Sequence, residues 1–319
     1  MLPPIEWIRN IYYVILALIG VPVNLIAIVI LSMGKCGLSK CTTYYLVAMA
    51  TADLLTVLTE VVLRRINNYF FSLNFLKLTS VCRPLYVFVR SSVDCSVWFT
   101  VAFTFDRFVA ICCQKLKSKY CTKKTAVVVL GTTAVLLCLK NIPTYFRYKN
   151  RWIINNVEWR CSNRRSYFTD PRWIGFRMFE KALSPLLPFA LIIFLNALTV
   201  KHILVGSRVR KLLKSQSKGE NHSDPEMESR RKSMILLFTV SISFILLWFV
   251  YILYFFNIDD LFEDPNDIFD NLSYMLRNLS CCTNTFIYMA VQSRFREQLK
   301  SAAKSPVIAV VSCINSQKF

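Results

Sequence analysis

Seven blocks of apolar residues, each long enough to cross a bilayer as a helix, limit what this chain can fold into. They fall at about 11–33, 43–63, 84–112, 125–143, 174–204, 233–257 and 268–291. A hydrocarbon core of roughly 30 Å takes about 20 helical residues, because lipid offers no hydrogen-bond partner to a backbone that has not satisfied itself. The expected fold is therefore an all-α membrane protein, a seven-transmembrane helix bundle. Residues 1–10 precede the bundle, 11–291 form it and 292–319 follow it. A hydrophobic content of 55% and a mean hydropathy of +0.42 agree with this. The seventh block is the most polar, with Asn271, Ser273, Arg277, Asn278, Ser280 and Asn284 inside it. Such a span has to be shielded by other helices or line a wet cavity. No basic stretch and no small-residue cleavage site precede the first block, so it reads as a retained signal-anchor helix.

Charge sets the expected orientation. The formal net charge of +20 raises the question of nucleic acid, but the basic residues cluster between apolar blocks and form no basic module, so no nucleic-acid partner is expected. Of 39 Lys and Arg residues, 21 lie in the connections placed inside and 12 in those placed outside. This bias predicts a multi-pass plasma-membrane protein with its N-terminus extracellular and its C-terminus cytoplasmic, although the basic 144–172 loop runs against it. The polar stretch Ser215–Ser229 reads as a flexible cytoplasmic loop. The segment from Ser293, SRFREQLKSAAK, pairs Phe295 with Leu299 beside basic residues, as in a short amphipathic C-terminal helix on the inner membrane face.

Twelve cysteines invite a disulfide framework until they are placed. Cys36, Cys41, Cys112, Cys113, Cys121 and Cys313 fall on the cytoplasmic side, and Cys95, Cys138, Cys281 and Cys282 within spans. Only Cys82 and Cys161 face the oxidising side, where pairing would tie the third span to the loop after the fourth. Palmitoylation of Cys313 and use of the Asn271-Leu272-Ser273 glycosylation sequon are left open.

Asp106-Arg107-Phe108 closes the third span, and Cys82 lies 25 residues before Arg107. This arrangement resembles the DRY motif and disulfide spacing of rhodopsin-like (class A) G-protein-coupled receptors. Gly20-x-Pro22-x-Asn24 resembles the first-helix motif of that family, and Leu46 to Leu55 around Asp53 the second-helix one. Pro188, Trp248 and Asn284-Thr285-Phe286-Ile287-Tyr288 occupy the places of the fifth-helix proline, the sixth-helix tryptophan and NPxxY. The chain looks most like orphan receptors of the peptide-receptor branch. The resemblance implies a receptor for an extracellular ligand, a peptide or a small carboxylate-bearing molecule, that activates heterotrimeric G proteins.

The departures from the pattern are specific. Thr285 and Val250 replace prolines that would kink the seventh and sixth helices, Asn196 replaces a common fifth-helix tyrosine, and the fourth span lacks its usual tryptophan. They leave open a constitutively active or silent receptor without a dedicated ligand. A transporter is the rival class, but neither internal repeats nor broken helices are visible. No HExxH, GxSxG or Cys/His cluster occurs, and the only histidines, His202 and His222, are placed on the inner side, so the chain is not expected to be an enzyme.

The resemblance also implies roles for residues. Asp53, Ser96, Ser280 and Asn284 correspond to a pocket for an allosteric Na⁺, with a metal-free, water-filled cluster as the alternative. No other cofactor is implied. Asp106, Arg107, Asn284 and Tyr288 correspond to the G-protein activation elements, and Phe244 and Trp248 to a toggle, where plain core packing is the alternative. Val89 stands where amine receptors carry an aspartate, which argues against a simple biogenic amine.

With Val89 and Trp248, the expected ligand pocket comprises Glu60, Arg64, Arg90, Asp94, Glu180, Lys181 and Arg277, a net positive mouth that favours carboxylates. Arg90 and Asp94, at i,i+4, are placed to satisfy each other, while Arg64, Arg65 and Arg177 read as side chains snorkelling to water. The basic 144–172 loop and an acidic connection carrying Asp259, Asp260, Glu263, Asp264, Asp267 and Asp270 are expected to attract across the mouth, with two independently solvated loops as the alternative. Glu60 follows Asp53 by seven residues and Arg277 precedes Asn284 by seven. Each thus stands about 20° from the inward face, roughly 10 Å further out, and a Glu60–Arg277 salt bridge is expected. In the rival arrangement Glu60 pairs with Arg64 and Arg277 is left for a ligand carboxylate.

Overall fold

A computed structural model of the chain describes residues 4–71, 74–214, 225–256 and 268–302. Among them are seven long helices: α1 (Pro4–Ser32), α2 (Lys40–Phe70), α3 (Thr79–Cys112), α4 (Lys123–Asn141), α5 (Pro171–Lys181, continuing through Leu187–Lys214), α6 (Pro225–Phe255) and α7 (Ile268–Val291). An eighth, α8, spans 293–302. Six helices are long and apolar enough to cross a membrane, and α7 is the polar seventh. Several helices overrun their apolar blocks, α1 by about two turns at its N-terminal end. The expected loop 215–229 is shorter than its composition suggests, because Pro225 opens α6, a position where its missing N–H costs no hydrogen bond. Residues 215–224, the acidic stretch from Asp259 to Asp267, and Cys313 lie outside the described residues.

The bundle is apolar outside, and its interior mixes apolar clusters with many buried polar side chains. Leu18, Val128, Leu136, Phe194 and Leu246 point outward, each more than half exposed, and lipid would cover them at no cost. The central helix α3 packs against α2, α4, α5 and α6 and buries Ser91, Ser92, Asp94, Ser96, Thr100, Thr104, Asp106 and Arg107. Hydrogen bonding between helices, not hydrophobic contrast, selects these faces in a membrane. Asn24 shows how: its amide donates to the carbonyls of Gly20 at 2.9 Å and Cys281 at 2.8 Å, joining α1 to α7.

Two helices change winding. Val57–Ile66 in α2 and Ala182–Leu186 in α5 are π-helical. The second of these turns contains Pro185 and precedes Pro188, whose ring cannot follow an ordinary i−4 carbonyl. α6 runs unbroken through Val250, and α7 through Thr285, whose buried hydroxyl makes no hydrogen bond.

Between α4 and α5 the chain forms an antiparallel hairpin, β1 (Tyr148–Ile154) and β2 (Val157–Asn163). Asn155 and Asn156 turn it at φ 51° and 61°, the left-handed pair that a two-residue hairpin turn requires. Cys82 at the start of α3 is bonded to Cys161 in β2, with a Cα–Cα distance of 6.2 Å. The sequon asparagine, whose use the sequence left open, lies inside α7: Asn271 is 6% exposed and accepts a hydrogen bond from Arg9 at 3.1 Å.

Candidate functional site

The chemistry-bearing residues form a column through the bundle. At the disulfide end, Glu60 is fully buried and held by three guanidinium groups. Arg64 donates to Oε2 at 2.6 Å and Arg65 to Oε1 at 3.0 Å. Arg277 reaches Oε1 at 3.4 Å across the α2–α7 interface. The expected Glu60–Arg277 bridge is present, and so is the Glu60–Arg64 contact of the rival arrangement. Arg64 and Arg65, read as snorkelling, turn their guanidinium groups to Glu60 while their side chains stay partly exposed. The π-helix explains the second of them: in an α-helix a residue five positions on stands about 140° around the axis, whereas i→i+5 bonding brings it back over the same side.

Aromatic rings complete this layer. The Arg277 guanidinium lies 4.9 Å from the ring centroid of Tyr251 and 4.8 Å from that of Tyr274. Arg65 also stacks on Tyr274, at 4.8 Å, and Arg64 on Tyr86, at 5.3 Å. Beside them opens a cavity of about 130 Å³, lined by Glu60, Arg64, Arg277 and the three tyrosines with Val89, Arg90, Asp94, Arg147, Tyr148 and Trp248. Four arginines against Glu60 and Asp94 leave its lining positively charged. A neighbouring cavity of about 240 Å³ shares Arg90, Tyr251 and Tyr274 and adds Glu180, Lys181 and Arg177. The Arg177 guanidinium lies 5.6 Å from the Tyr167 ring centroid, an aromatic contact its snorkelling assignment did not include.

The expected Arg90–Asp94 pair is not formed. Arg90 turns to Glu180 on α5 at 3.7 Å. Asp94 takes Lys140 at 2.6 Å and the Asn141 amide at 2.8 Å, both from α4, while Lys140 also donates to Ser184 at 3.1 Å. Buried carboxylates find the closest cation in three dimensions, and α4 supplies one that helical spacing along α3 does not reveal. Lys140 itself was a visible signal, as a lysine within an apolar span.

Below the cavity Trp248 stacks on Phe244, with centroids 5.2 Å apart. Its indole N–H donates to Ser280 Oγ at 3.1 Å, and Ser280 donates to the Arg277 carbonyl at 2.6 Å. One layer further down, Asp53 is 1% exposed and accepts from Ser96 at 2.5 Å and Asn284 at 2.9 Å. Three of the four residues grouped around Asp53 by sequence come together there, whereas the Ser280 hydroxyl bonds to Trp248 and the Arg277 carbonyl.

At the opposite end Arg107 is 7% exposed and held by Asp106 through Nη2 and, at 3.0 Å, Nε, while its Nη1 donates to Ser233 on α6 at 3.1 Å. The Cys41 thiol donates to Asp106 Oδ1 at 3.1 Å. Neither Cys41 nor Ser233 stood out in the sequence, because thiols and serines are common at helix ends. Arg107 opens onto a cavity of about 710 Å³ with Lys117, Lys232, Gln292 and Arg294 on its walls. Tyr288 is fully buried, packs its ring 6.2 Å from Phe295 of α8, and makes no hydrogen bond through its hydroxyl.

Comparison with known proteins agrees with this column. Residues 23–288 match the family described as 7 transmembrane receptor (rhodopsin family). C-C chemokine receptor type 1 of Macaca fascicularis is 24% identical over 317 residues, covering 94% of this chain and 78% of that receptor. The cholecystokinin receptor of Xenopus laevis is 31% identical over 138 residues, 43% of this chain and 30% of that receptor. With seven helices, a disulfide from α3 to the following hairpin and Asp106–Arg107 facing α6, the chain belongs to the rhodopsin family of seven-transmembrane receptors.

Proposed function

We propose that this chain is a plasma-membrane receptor that binds an extracellular anionic ligand at its disulfide end and activates a heterotrimeric G protein at its Arg107 end. Its N-terminus lies outside the cell and its C-terminus in the cytoplasm. The observation that carries this reading is the Glu60 cluster, in which one buried carboxylate faces three guanidinium groups beside a cavity that Arg90 and Arg147 also line. A small carboxylate-bearing molecule, or the acidic end of a peptide, supplies the missing negative charge. Tyr86, Tyr251, Tyr274 and Trp248 supply apolar and cation–π contact around it. The names of the two relatives, a chemokine and a cholecystokinin receptor, favour the peptide form.

A ligand carboxylate at Arg277 loads α7, and Trp248 senses it through Ser280, one turn from Arg277. A shift of Trp248 and Phe244 moves α6, which withdraws Ser233 from Arg107 and opens the end cavity to a G-protein helix. In that open state Tyr288, whose hydroxyl has no partner at rest, completes the contact. Asp53, Ser96 and Asn284 offer hard oxygen donors at a buried carboxylate, which fits Na⁺, and the ion would stabilise the resting arrangement. A water-bridged cluster is the alternative occupant.

Family membership sets the transporter alternative aside. A receptor with no dedicated ligand draws on the unbroken α6 and α7. Nucleotide exchange on a panel of purified G proteins, with and without a library of carboxylates and acidic peptides, tests both readings. Exchange that no compound raises, at a level dependent on Arg107, would support the ligand-free reading over ours.

A further inference from the structure

At the Arg107 end, residues 33–41 and 113–125 hold seven lysines and no Asp or Glu. A short helix between α3 and α4, Gln114–Tyr120, carries three of them. Gln114, Lys117 and Ser118 line the cavity onto which Arg107 opens. At about 100° per residue, the other four positions stand on the side turned away from that cavity. Lys115 and Lys119 lie one turn apart there, beside Leu116 and Tyr120, and all four are exposed. An apolar pair left 46% and 45% open, with lysines along its edge, is the pattern of a helix lying in a membrane interface.

α4 continues the same surface. It opens on Lys123 and Lys124, both exposed, and one turn further on Val127 and Val128 are exposed on the same faces. Those valines belong to the lipid-covered band, so the two ammonium groups stand at headgroup level just beyond it. The Lys123 ammonium lies 5.3 Å from the ring centroid of Tyr44, and Lys40 stands one turn before Tyr44 on α2. The lysines of the two segments therefore meet. Membrane topology alone favours basic residues on one side, but it requires neither their convergence nor an apolar pair among them. Lys40, Lys123 and Lys124 also occupy first helical turns, where a cation opposes the helix dipole, so their placement does not serve the helices. Four lysines within the ten residues 115–124 offer more charge than a singly charged lipid neutralises, and a lysine ammonium suits phosphate as a point charge. We propose that this face binds the headgroup of a polyphosphorylated inositol lipid, with Lys115, Lys119, Lys123 and Lys124 on its phosphates and Leu116 and Tyr120 at the acyl boundary. In the orientation proposed above, this is the cytoplasmic leaflet. The inference does not depend on which ligand or G protein the receptor takes. The lipid holds one side of a helix whose other side lines the Arg107 cavity, and so fixes one wall of that cavity.

The test uses the full-length receptor in nanodiscs of phosphatidylcholine alone, with phosphatidylserine, or with phosphatidylinositol bisphosphate, the last two matched in total charge. The bisphosphate should raise the melting temperature saturably with its content, and clearly more than phosphatidylserine does. Lys115 and Lys119 are exposed, so Lys115→Gln with Lys119→Gln should leave the melting temperature in phosphatidylcholine unchanged. The same pair should raise the bisphosphate content needed for half the effect several-fold. Leu116→Ser with Tyr120→Ser should weaken the effect of the lipid. Soluble inositol trisphosphate, which has no acyl chains, should act more weakly than the lipid and be indifferent to that second pair. An equal rise with phosphatidylserine would reduce the face to diffuse charge and overturn the proposal, as would a bisphosphate effect that survives the lysine substitutions. If soluble inositol trisphosphate matches the lipid, the occupant is a free anion and the membrane assignment fails. Variants that keep the lipid effect but lose nucleotide exchange on a G protein in pure phosphatidylcholine would assign the face to the G protein instead.

Discussion

Arg277 on α7 reaches Glu60 on α2 at 3.4 Å, but Arg64 and Arg65 already hold the same carboxylate at 2.6 and 3.0 Å from its own helix. The three guanidinium groups are therefore not equivalent. Two satisfy Glu60, and the third bridges helices with its Nε left without a hydrogen-bond partner.

This asymmetry predicts unequal costs. Glu60→Gln leaves three cations without their counter-charge, and breaking a buried pair in this way costs about 3–5 kcal/mol. Surface expression should fall sharply. Arg277→Gln leaves Glu60 with two partners, so expression should fall less while ligand response is lost. Cell-surface labelling and agonist-stimulated nucleotide exchange on the two variants decide the point. Equal losses of expression would mean that Arg277, not the α2 arginines, is the main partner.

The proposed Na⁺ site yields a prediction on Ser280. Because the Ser280 hydroxyl bonds to Trp248 and the Arg277 carbonyl, Ser280→Ala should keep the Na⁺ dependence of agonist affinity. Asp53→Asn should remove that dependence. Ser280→Ala should alter basal activity instead, by releasing the indole N–H. Agonist binding measured over a Na⁺ series in the three proteins is the check. Loss of the Na⁺ effect in Ser280→Ala would return its hydroxyl to the ion site.

What the sequence revealed follows from the reach of each signal. Apolar length fixes the spans, and a period of about 100° per residue places Asp53, Ser96, Glu60 and Arg277 on inward faces. That arithmetic assumes α-helical winding. It failed for Arg65, where ten π-helical residues bring i+5 round to Glu60. It also failed for Asp94, because partner choice between Arg90 and Lys140 depends on how α3, α4 and α5 pack, which no single-helix spacing encodes. The hairpin was legible in part: Asn155-Asn156 between Trp152-Ile153-Ile154 and Val157 is a two-residue turn flanked by strand formers.

The resting lock predicts a role for a thiol. Cys41 donates to Asp106 Oδ1, and Asp106 holds Arg107 through its other oxygen. Cys41→Ala removes one of the groups that orient the carboxylate, so ligand-independent exchange should rise about two- to fivefold, equivalent to the net worth of one hydrogen bond of ~0.5–1 kcal/mol. Cys41→Ser, which keeps a donor, should stay near the parent value. Arg107→Ala should abolish exchange in every background while leaving surface expression largely intact.

The knot around Asp94 allows the most direct comparison of two pairings. Asp94 is 4% exposed and its Lys140 partner has a side chain 9% exposed, whereas the Arg90 side chain is 39% exposed. Lys140→Met leaves a buried carboxylate with only the Asn141 amide, so it should cost about 3–5 kcal/mol and lower the yield of folded receptor. Arg90→Met removes a longer contact, 3.7 Å, from the buried Glu180, and Arg90 itself is partly solvated, so it should cost less than Lys140→Met. Asp94→Leu combined with Lys140→Met removes both charges together, and the bundle then gains apolar packing at no electrostatic cost. The double variant should therefore melt well above Lys140→Met alone. Thermal unfolding of the four purified proteins measures this directly. If the double variant melts no higher than Lys140→Met alone, Lys140 is not the main partner of Asp94, and the α3–α4 pairing described here is not the one that stabilises the receptor.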